Sequence, residues 1–406
     1  MQSQYKKLDN CLCCLNKVDL VLDLKNQPLA NDFHEINEKN DLYPLRLMCC
    51  LNCFHCQLSH VVDPEILFKN YKYISGTNQT IMKFFKENVD FISNYKNKPG
   101  LKVLDIACND GSQLDFFKSA GWSTYGVDPA VNLHPISKGK GHIVECEFWN
   151  QKTAKNMPIM DVILAQNVFA HTANVDDFLQ ACKLVMDENT SLFIQTSQKN
   201  MILNNEFDTI YHEHISFFNT KSMNTLVLRN GLVLNRVLEN EIHGTSYIFE
   251  IKKTKDLSIY NVEDMINEEQ DKNLFTSDLY KNFSVSSTNS LENLKNIIDE
   301  YKNNNYKCIG YGASAKGQVT LCAGEIKLDY IIDENPLKIG LFSPMLDIPI
   351  VHLKTFENDN SKKFFVVILA WNFSKEIIEK IQKINKNANI VIIKRYFPDL
   401  ELVEFN

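Results

Sequence analysis

The segment Phe207-Asp-Thr-Ile-Tyr-His-Glu-His214 places a phenol, two imidazoles and a carboxylate in four consecutive positions, Tyr211 to His214. Such groups together can move a proton. Histidine titrates near working pH, and abstraction of a proton beside a carbonyl needs a base of about that strength. Metal binding is the weaker reading, because His212 and His214 stand two apart with Glu213 between them, unlike the helical H-E-x-x-H arrangement. Extended backbone is expected here, with His212 and His214 on one face and Tyr211 and Glu213 on the other.

A second set of reactive residues lies near the N-terminus. Seven of the twelve cysteines fall within the first 56 residues: Cys11, Cys13, Cys14, Cys49, Cys50, Cys53 and Cys56. The pairs Cys11-Leu-Cys-Cys14 and Cys50-Leu-Asn-Cys53 have the spacing of two zinc knuckles, which together supply four soft ligands. Cys13, Cys49 and Cys56 offer competing registers. A closed four-cysteine site leaves no open coordination position, so the metal is expected to be structural. The N-terminal MQSQYKKLDN lacks the apolar core of a signal peptide, which argues against a secreted disulfide framework.

Two glycine-containing corners complete the chemistry. Asp105-Ile-Ala107-Cys-Asn109-Asp-Gly111 sits between a strand and a helix, and Asp128 ends the next strand where a ribose diol could be held. The first loop keeps only the last of the usual three glycines. A dinucleotide would give a similar pair of features. Gln166-Asn167-Val-Phe-Ala-His171, placed after the fourth strand at the carboxyl edge of the sheet, favours S-adenosylmethionine. Gly310-Tyr-Gly312-Ala-Ser314-Ala-Lys316-Gly317 lies at another strand-to-helix corner, where bare amides and Lys316 could neutralise a diphosphate. Asp333 ends the following strand, as a ribose acid would in an NAD site, although the glycine spacing is not G-x-G-x-x-G.

The elements that must position these residues follow from periodicity. Thr80 to Tyr95 reads as an amphipathic helix; Leu101 to Ala107, Ser123 to Asp128, Asp161 to Gln166 and Ser191 to Thr196 read as buried strands, with helical stretches between them. The expected fold class is α/β: two doubly wound Rossmann-like domains, the second smaller, behind a small N-terminal zinc-binding domain. The expected boundaries are 1–75, 76–255 and 256–406, the last opening with a polar helical connection near 255–305. The chain has 406 residues, which suits two or three domains. Its net charge of −7 argues against a nucleic-acid coat. No apolar run approaches the roughly 20 residues of a membrane span. A cytoplasmic monomer without nucleic-acid or membrane partners is expected.

Taken in order, Cys53-Phe-His-Cys-Gln57-Leu58, Asn70-Tyr-Lys-Tyr73-Ile-Ser-Gly76, Cys108-Asn-Asp-Gly111, Asn167-Val-Phe-Ala-His171, Asp208-Thr-Ile-Tyr-His-Glu-His214, His243-Gly-Thr-Ser246 and the Gly310 to Gly317 corner resemble the three-domain sugar C-methyltransferases. Those enzymes act on nucleotide-linked 4-keto-6-deoxy sugars. The resemblance implies Cys11, Cys14, Cys50 and Cys53 as zinc ligands, with Gln57-Leu58 setting the register. It implies an S-adenosylmethionine site in the central domain, held by Asp105, Ala107, Asn109, Gly111, Asp128, Gln166 and Asn167. It further implies His214 as general base, with Tyr211 and Glu213 beside it and Tyr73 reaching in from the first domain. His171, His243, Gly310, Gly312, Ser314, Lys316, Gly317 and Asp333 would bind a nucleoside-diphosphate sugar without a nicotinamide cofactor. The departures are a single glycine after His243, Phe217-Phe218 where an aromatic hydroxyl is common, and Cys108 in the cofactor loop. Two rival readings are a zinc-ribbon module that binds RNA or a protein, and an NAD-dependent nucleotide-sugar oxidoreductase.

Overall fold

The computed structural model describes residues 4–36, 38–69, 74–77, 79–196, 200–240, 245–384 and 388–405. Strands are numbered in chain order. The cysteine-rich part contributes β1 (Tyr5–Lys7), β2 (Asp19–Gln27), β3 (Tyr43–Cys49), β4 (Cys56–Leu58) and β5 (His60–Val62). The middle of the chain contributes β6 (Lys102–Ile106), β7 (Ser123–Val127), β8 (Ile143–Glu145), β9 (Val162–Gln166), β10 (Ser191–Thr196), β11 (Ser216–Phe217), β12 (Val233–Asn240) and β13 (Ser246–Lys252). The last part contributes β14 (Lys307–Tyr311), β15 (Ile331–Ile332), β16 (Ile350–Val351), β17 (Lys363–Ile368), β18 (Asn389–Arg395) and β19 (Glu401–Phe405).

The central sheet has the order β12-β13-β10-β9-β6-β7-β8, with β13 antiparallel to its neighbours and the remaining pairs from β10 to β8 parallel. Its inner strands are buried on both faces: every residue of β10, polar Ser191, Gln195 and Thr196 included, and all of β9 but its last, is buried. The helix Gln79–Lys96 covers one face by burying Ile81, Phe84, Val89 and Ile92, while Lys86 and Asp90 pair on its exposed side. Strand order reverses between β6 and β9, so the loops that follow these two strands flank a crevice.

The last sheet repeats the device in smaller form, as β16-β15-β14-β17-β18-β19, parallel except for β19. Its reversal lies between β14 and β17. The polar stretch before it, expected as a connection, forms the helices Val262–Asp271 and Ser277–Asn303. The longer helix is a core element, because Tyr280, Phe283, Leu294 and Ile298 are buried in a cluster shared with Leu45, Leu47 and Leu58 of the first sheet and Leu321 of the helix Ala315–Gly324. Buried one-sided apolar spacing, masked in the sequence by its Asn, Lys and Glu content, is what seats it.

The first sheet, β11-β4-β3-β2, is antiparallel and not built from the cysteine-rich part alone. Its edge strand β11 comes from the segment just after His214, with Ser216 opposite Gln57 and Phe217 opposite Cys56. Gln57 itself is fully buried. Its side-chain oxygen accepts from the Leu12 amide (2.8 Å) and its amide nitrogen donates to the Asn10 carbonyl (3.1 Å), so one side chain clamps the first cysteine knuckle to β4. Gln57→Ala leaves both partners without that bond and should lower unfolding free energy by about 2 kcal/mol. Urea denaturation followed by tryptophan fluorescence measures the loss, and metal should leave to a chelator faster than from the parent protein.

Candidate active site

The two cysteine knuckles are built alike. In the first, the Cys11 amide donates to Asn16 (2.7 Å) and the Leu15 amide to Cys11 (2.9 Å); in the second, Cys50 donates to His55 (2.9 Å) and Phe54 to Cys50 (2.7 Å). Leu15 and Phe54 close their turns with left-handed backbone, at φ 64° and 58°. The sulfurs of Cys11, Cys14, Cys50 and Cys53 all lie within 4.8 Å of one another, with Cys11 to Cys53 at 3.5 Å and Cys14 to Cys50 at 3.3 Å. A tetrahedral zinc with Zn–S bonds of about 2.3 Å separates its sulfurs by about 3.8 Å, so the donor set fits zinc with small adjustment. Cys13 stays outside the set, its amide donating to Cys11 Sγ (3.4 Å). Cys49 and Cys56 face each other across β3 and β4 and are buried in the core.

The loop after β6 carries the central-domain residues. Ala107 and Asn109 adopt left-handed backbone (φ 63° and 52°) where glycine would be unstrained, and Gly111, at φ 75°, opens the helix Ser112–Ser119. Asp128, at the end of β7, accepts from the Asn109 amide through Oδ2 and from the Ala130 amide through Oδ1, each at 2.8 Å. Asn109 Oδ1 in turn accepts from the Ser75 amide (3.0 Å), and Gly76 lies so close that any side chain there would run into Ser112 and Asp110. The stretch following Tyr73 is therefore seated on this loop. Tyr73 and His243, both expected at the site, fall outside the described residues.

A cavity of about 680 Å³ spans the crevice. Asp105, Ala107, Asn109, Asp128, Gln166 and Asn167 line one part of it; His171, Tyr211, Glu213, His214 and Lys316 line another. Gln166 Oε1 and Asn167 Oδ1 are buried without a hydrogen-bond partner among the described residues. Burial pushes the Asp105 carboxyl up to about 8, with the nearby Asp128 charge adding to it, and burial raises Asp128 as well. Two sequestered carboxyls and two unpartnered amide oxygens make a cradle suited to a cationic ligand with hydroxyl and amine donors, and S-adenosylmethionine has all of these. Phe148, Trp149 and Asn150 also line the cavity and were not singled out in the sequence. Their signal was an aromatic pair directly after a short third strand.

The Tyr211–His214 segment is a turn and not the extended strand expected from sequence, since the His214 amide donates to the Tyr211 carbonyl (2.8 Å). The faces are consequently redistributed. Tyr211, Glu213 and His214 line the cavity together, whereas His212 turns to the first module, its Nε2 3.3 Å from the Tyr43 carbonyl. His214 is buried, with Nδ1 2.8 Å from the Thr209 carbonyl, a group that can only accept. Nδ1 therefore carries the proton in this contact, and the lone pair of neutral His214 is on Nε2. The Tyr211 ring lies 3.9 Å from the imidazole, centroid to centroid. His171 stacks on it at 5.4 Å and on Phe68 at 5.6 Å; burial lowers His171 to about 4, which keeps it neutral. Glu213 accepts from Asn31 of the first module at 2.9 Å.

Of the residues expected to bind a nucleotide at the last sheet, Lys316 reaches this cavity. Gly310, Gly312 and Gly317 are packed against Leu369 and Ala370, where a Cβ would collide, and Ser314 caps the helix Ala315–Gly324 by accepting from the Gly317 amide (3.1 Å). Asp333 accepts from the Ala313 and Asn335 amides, both at 2.7 Å. Asn372 and Glu206, not anticipated, line the cavity beside Lys316.

Three family models match the chain in succession: "Putative zinc binding domain" over 11–68, "Methyltransferase domain" over 77–237 and "C-methyltransferase C-terminal domain" over 241–394. C-methyltransferase NovU of Streptomyces niveus is 25% identical over 410 residues, covering 97% of both chains. The mitochondrial ubiquinone biosynthesis O-methyltransferase of Mus musculus is 24% identical over 143 residues, covering 32% of this chain and 38% of that protein. Among solved structures, magnesium protoporphyrin IX methyltransferase of Synechocystis PCC 6803 aligns over 43% of this chain and 79% of its own, at 16% identity and a TM-score of 0.34.

Elemental analysis of the purified protein should find about one zinc per chain. Cys50→Ser should remove it and abolish cooperative unfolding of the first module, whereas Cys13→Ser should retain the full metal content.

Proposed function

We propose, from the premise that the chain is an S-adenosylmethionine-dependent methyltransferase built from the three C-methyltransferase domains, that it methylates a carbon next to the keto group of a nucleoside-diphosphate 4-keto-6-deoxy sugar, at C3, in deoxysugar biosynthesis. The observation that carries this reading is the shared cavity: a histidine held as the Nδ1–H tautomer lines the same space as the cofactor loop. The division at residues 75 and 255 is part of the proposal, with the zinc structural and the last domain serving the nucleotide.

The bound cofactor supplies an electrophilic methyl group on a sulfonium. His214 Nε2 would take the proton from the carbon adjacent to the ketone, the negative charge passing to the carbonyl oxygen as an enolate, and that carbon would form its bond to the methyl as the methyl–sulfur bond breaks and the neutral thioether leaves. Tyr211, in contact with the imidazole, and Tyr73 are assigned as hydroxyl donors to the enolate oxygen. Glu213, held by Asn31, sits where it can stabilise the imidazolium that results. His171 is a neutral wall that excludes water from the ring of His214. Asp105, Ala107, Asn109, Gly111, Asp128, Gln166 and Asn167 would hold the cofactor, while Lys316 would meet a phosphate. His243 is assigned to the nucleotide-sugar, as are Gly310, Gly312, Ser314, Gly317 and Asp333 through the loops they shape.

A panel of 4-keto nucleotide-sugars incubated with methyl donor in deuterated water, followed by mass spectrometry, should show methyl gain, with deuterium exchange at the acidic carbon. His214→Ala should lose at least 10³-fold in turnover and lose the exchange while binding S-adenosylhomocysteine normally. Wild-type turnover by that variant would overturn the assignment.

Cofactor affinity should depend on pH through Asp105. Below about 8 this carboxyl is largely protonated in the free protein, whereas a cationic ligand favours its ionised form, so binding releases a proton. Affinity measured calorimetrically should rise from pH 6.0 to 7.5, by up to about tenfold per unit, and Asp105→Asn should flatten that slope.

A further inference from the structure

Asp208 is fully buried, does not line the cavity, and sits on the single turn Phe207–Thr209 that precedes the Tyr211–His214 segment. Its Oδ2 accepts from the Trp371 indole N–H at 2.6 Å and from the Tyr396 hydroxyl at 3.2 Å. Tyr396 is itself fixed, since the Thr320 hydroxyl lies 3.2 Å from its oxygen. Trp371 and Tyr396 lie just beyond β17 and β18, and Thr320 is on the helix Ala315–Gly324. Trp371 stands three residues after the end of β17, at the strand-order reversal of that sheet, with Lys316 Nζ 4.4 Å from its ring centroid. A carboxylate buried without touching a ligand is costly unless donors are supplied; here those of Oδ2 come from another domain, while Oδ1 is buried without a partner among the described residues. The residue next in sequence, Thr209, presents the carbonyl that holds His214 Nδ1.

We propose that Asp208 is a positioning residue, which ties the turn carrying Thr209 to Trp371 and Tyr396 and thereby fixes the tautomer and ring orientation of His214. The inference rests on His214 being the base, and it adds a physical link from the nucleotide-facing corner to that base.

The test uses the full-length zinc-loaded protein labelled with ¹⁵N-histidine, comparing the parent, Asp208→Ala, Asp208→Asn and Trp371→Phe, with His214→Ala to assign the signal. Two-bond nitrogen–proton spectra should show the Nδ1–H tautomer for His214 in the parent. That pattern should be lost in Asp208→Ala, weakened in Trp371→Phe and partly restored in Asp208→Asn, while zinc content and S-adenosylhomocysteine affinity stay within twofold. On the sugar identified by the panel, kcat should fall at least tenfold in Asp208→Ala with KM for the methyl donor changed less than threefold. Persistence of the Nδ1–H tautomer in both Asp208→Ala and Trp371→Phe overturns the proposal. If Asp208→Ala does not fold, Trp371→Phe decides by the same readout. Because the tautomer is read without substrate, failure of the sugar reading leaves it standing, and persistence of the tautomer in the variants overturns the role of Asp208 while leaving the sugar reading intact.

Discussion

Everything at this site depends on how the backbone around Ile215 is shared. Its amide donates to the Ala170 carbonyl, in the loop after β9, and its carbonyl accepts from the Leu58 amide of the first sheet, both at 2.8 Å. Two residues on, β11 completes that sheet, and seven residues back Asp208 is bound by the last domain. A run of polar groups that would otherwise be a solvated loop is thus held from three sides, with the amides of Thr209, Ile210, His214 and Ile215 all donating to backbone carbonyls. The same ties convert a flexible histidine into one with a defined lone pair.

The zinc module gains its purpose from this arrangement. A short antiparallel sheet has too little core to be stable alone, and the cross-link between two knuckles substitutes for the missing area. Gln57 transmits that rigidity, since it bonds the first knuckle from the strand that pairs with β11. Four cysteine sulfurs would fill a tetrahedral zinc and leave no position for a substrate.

The two open sheets use one device twice. Asp128 accepts from the Asn109 amide and Asp333 from the Ala313 amide, each acid ending the second strand and holding the loop after the first. In the central domain the loop opens onto the large cavity. In the last domain Gly310, Gly312 and Gly317 draw the chain onto Leu369 and Ala370, and the corner presents Lys316 and Trp371 at its rim. The same local chemistry therefore serves different faces because the neighbouring packing differs.

Much of this was legible from residues alone. Periodicity located β6, β7, β9 and β10 to within about two residues, because strands buried on both faces read as short, largely apolar runs. The cysteine spacing pointed to two knuckles, since ligand geometry constrains sequence directly, but left competing registers that the family resemblance resolved to the four sulfurs that cluster. Periodicity could not anticipate that β11 joins the first sheet, that Ser277–Asn303 is a core helix, or that Tyr211, Glu213 and His214 face one cavity while His212 faces Tyr43. Those outcomes depend on hydrogen bonds between segments far apart in the chain, where each partner is an ordinary carbonyl or amide with no signature of its own. The sequence by itself determined which chemical groups and which elements exist; only tertiary structure decided which of them meet, because a turn's direction is set by the partners that bury it.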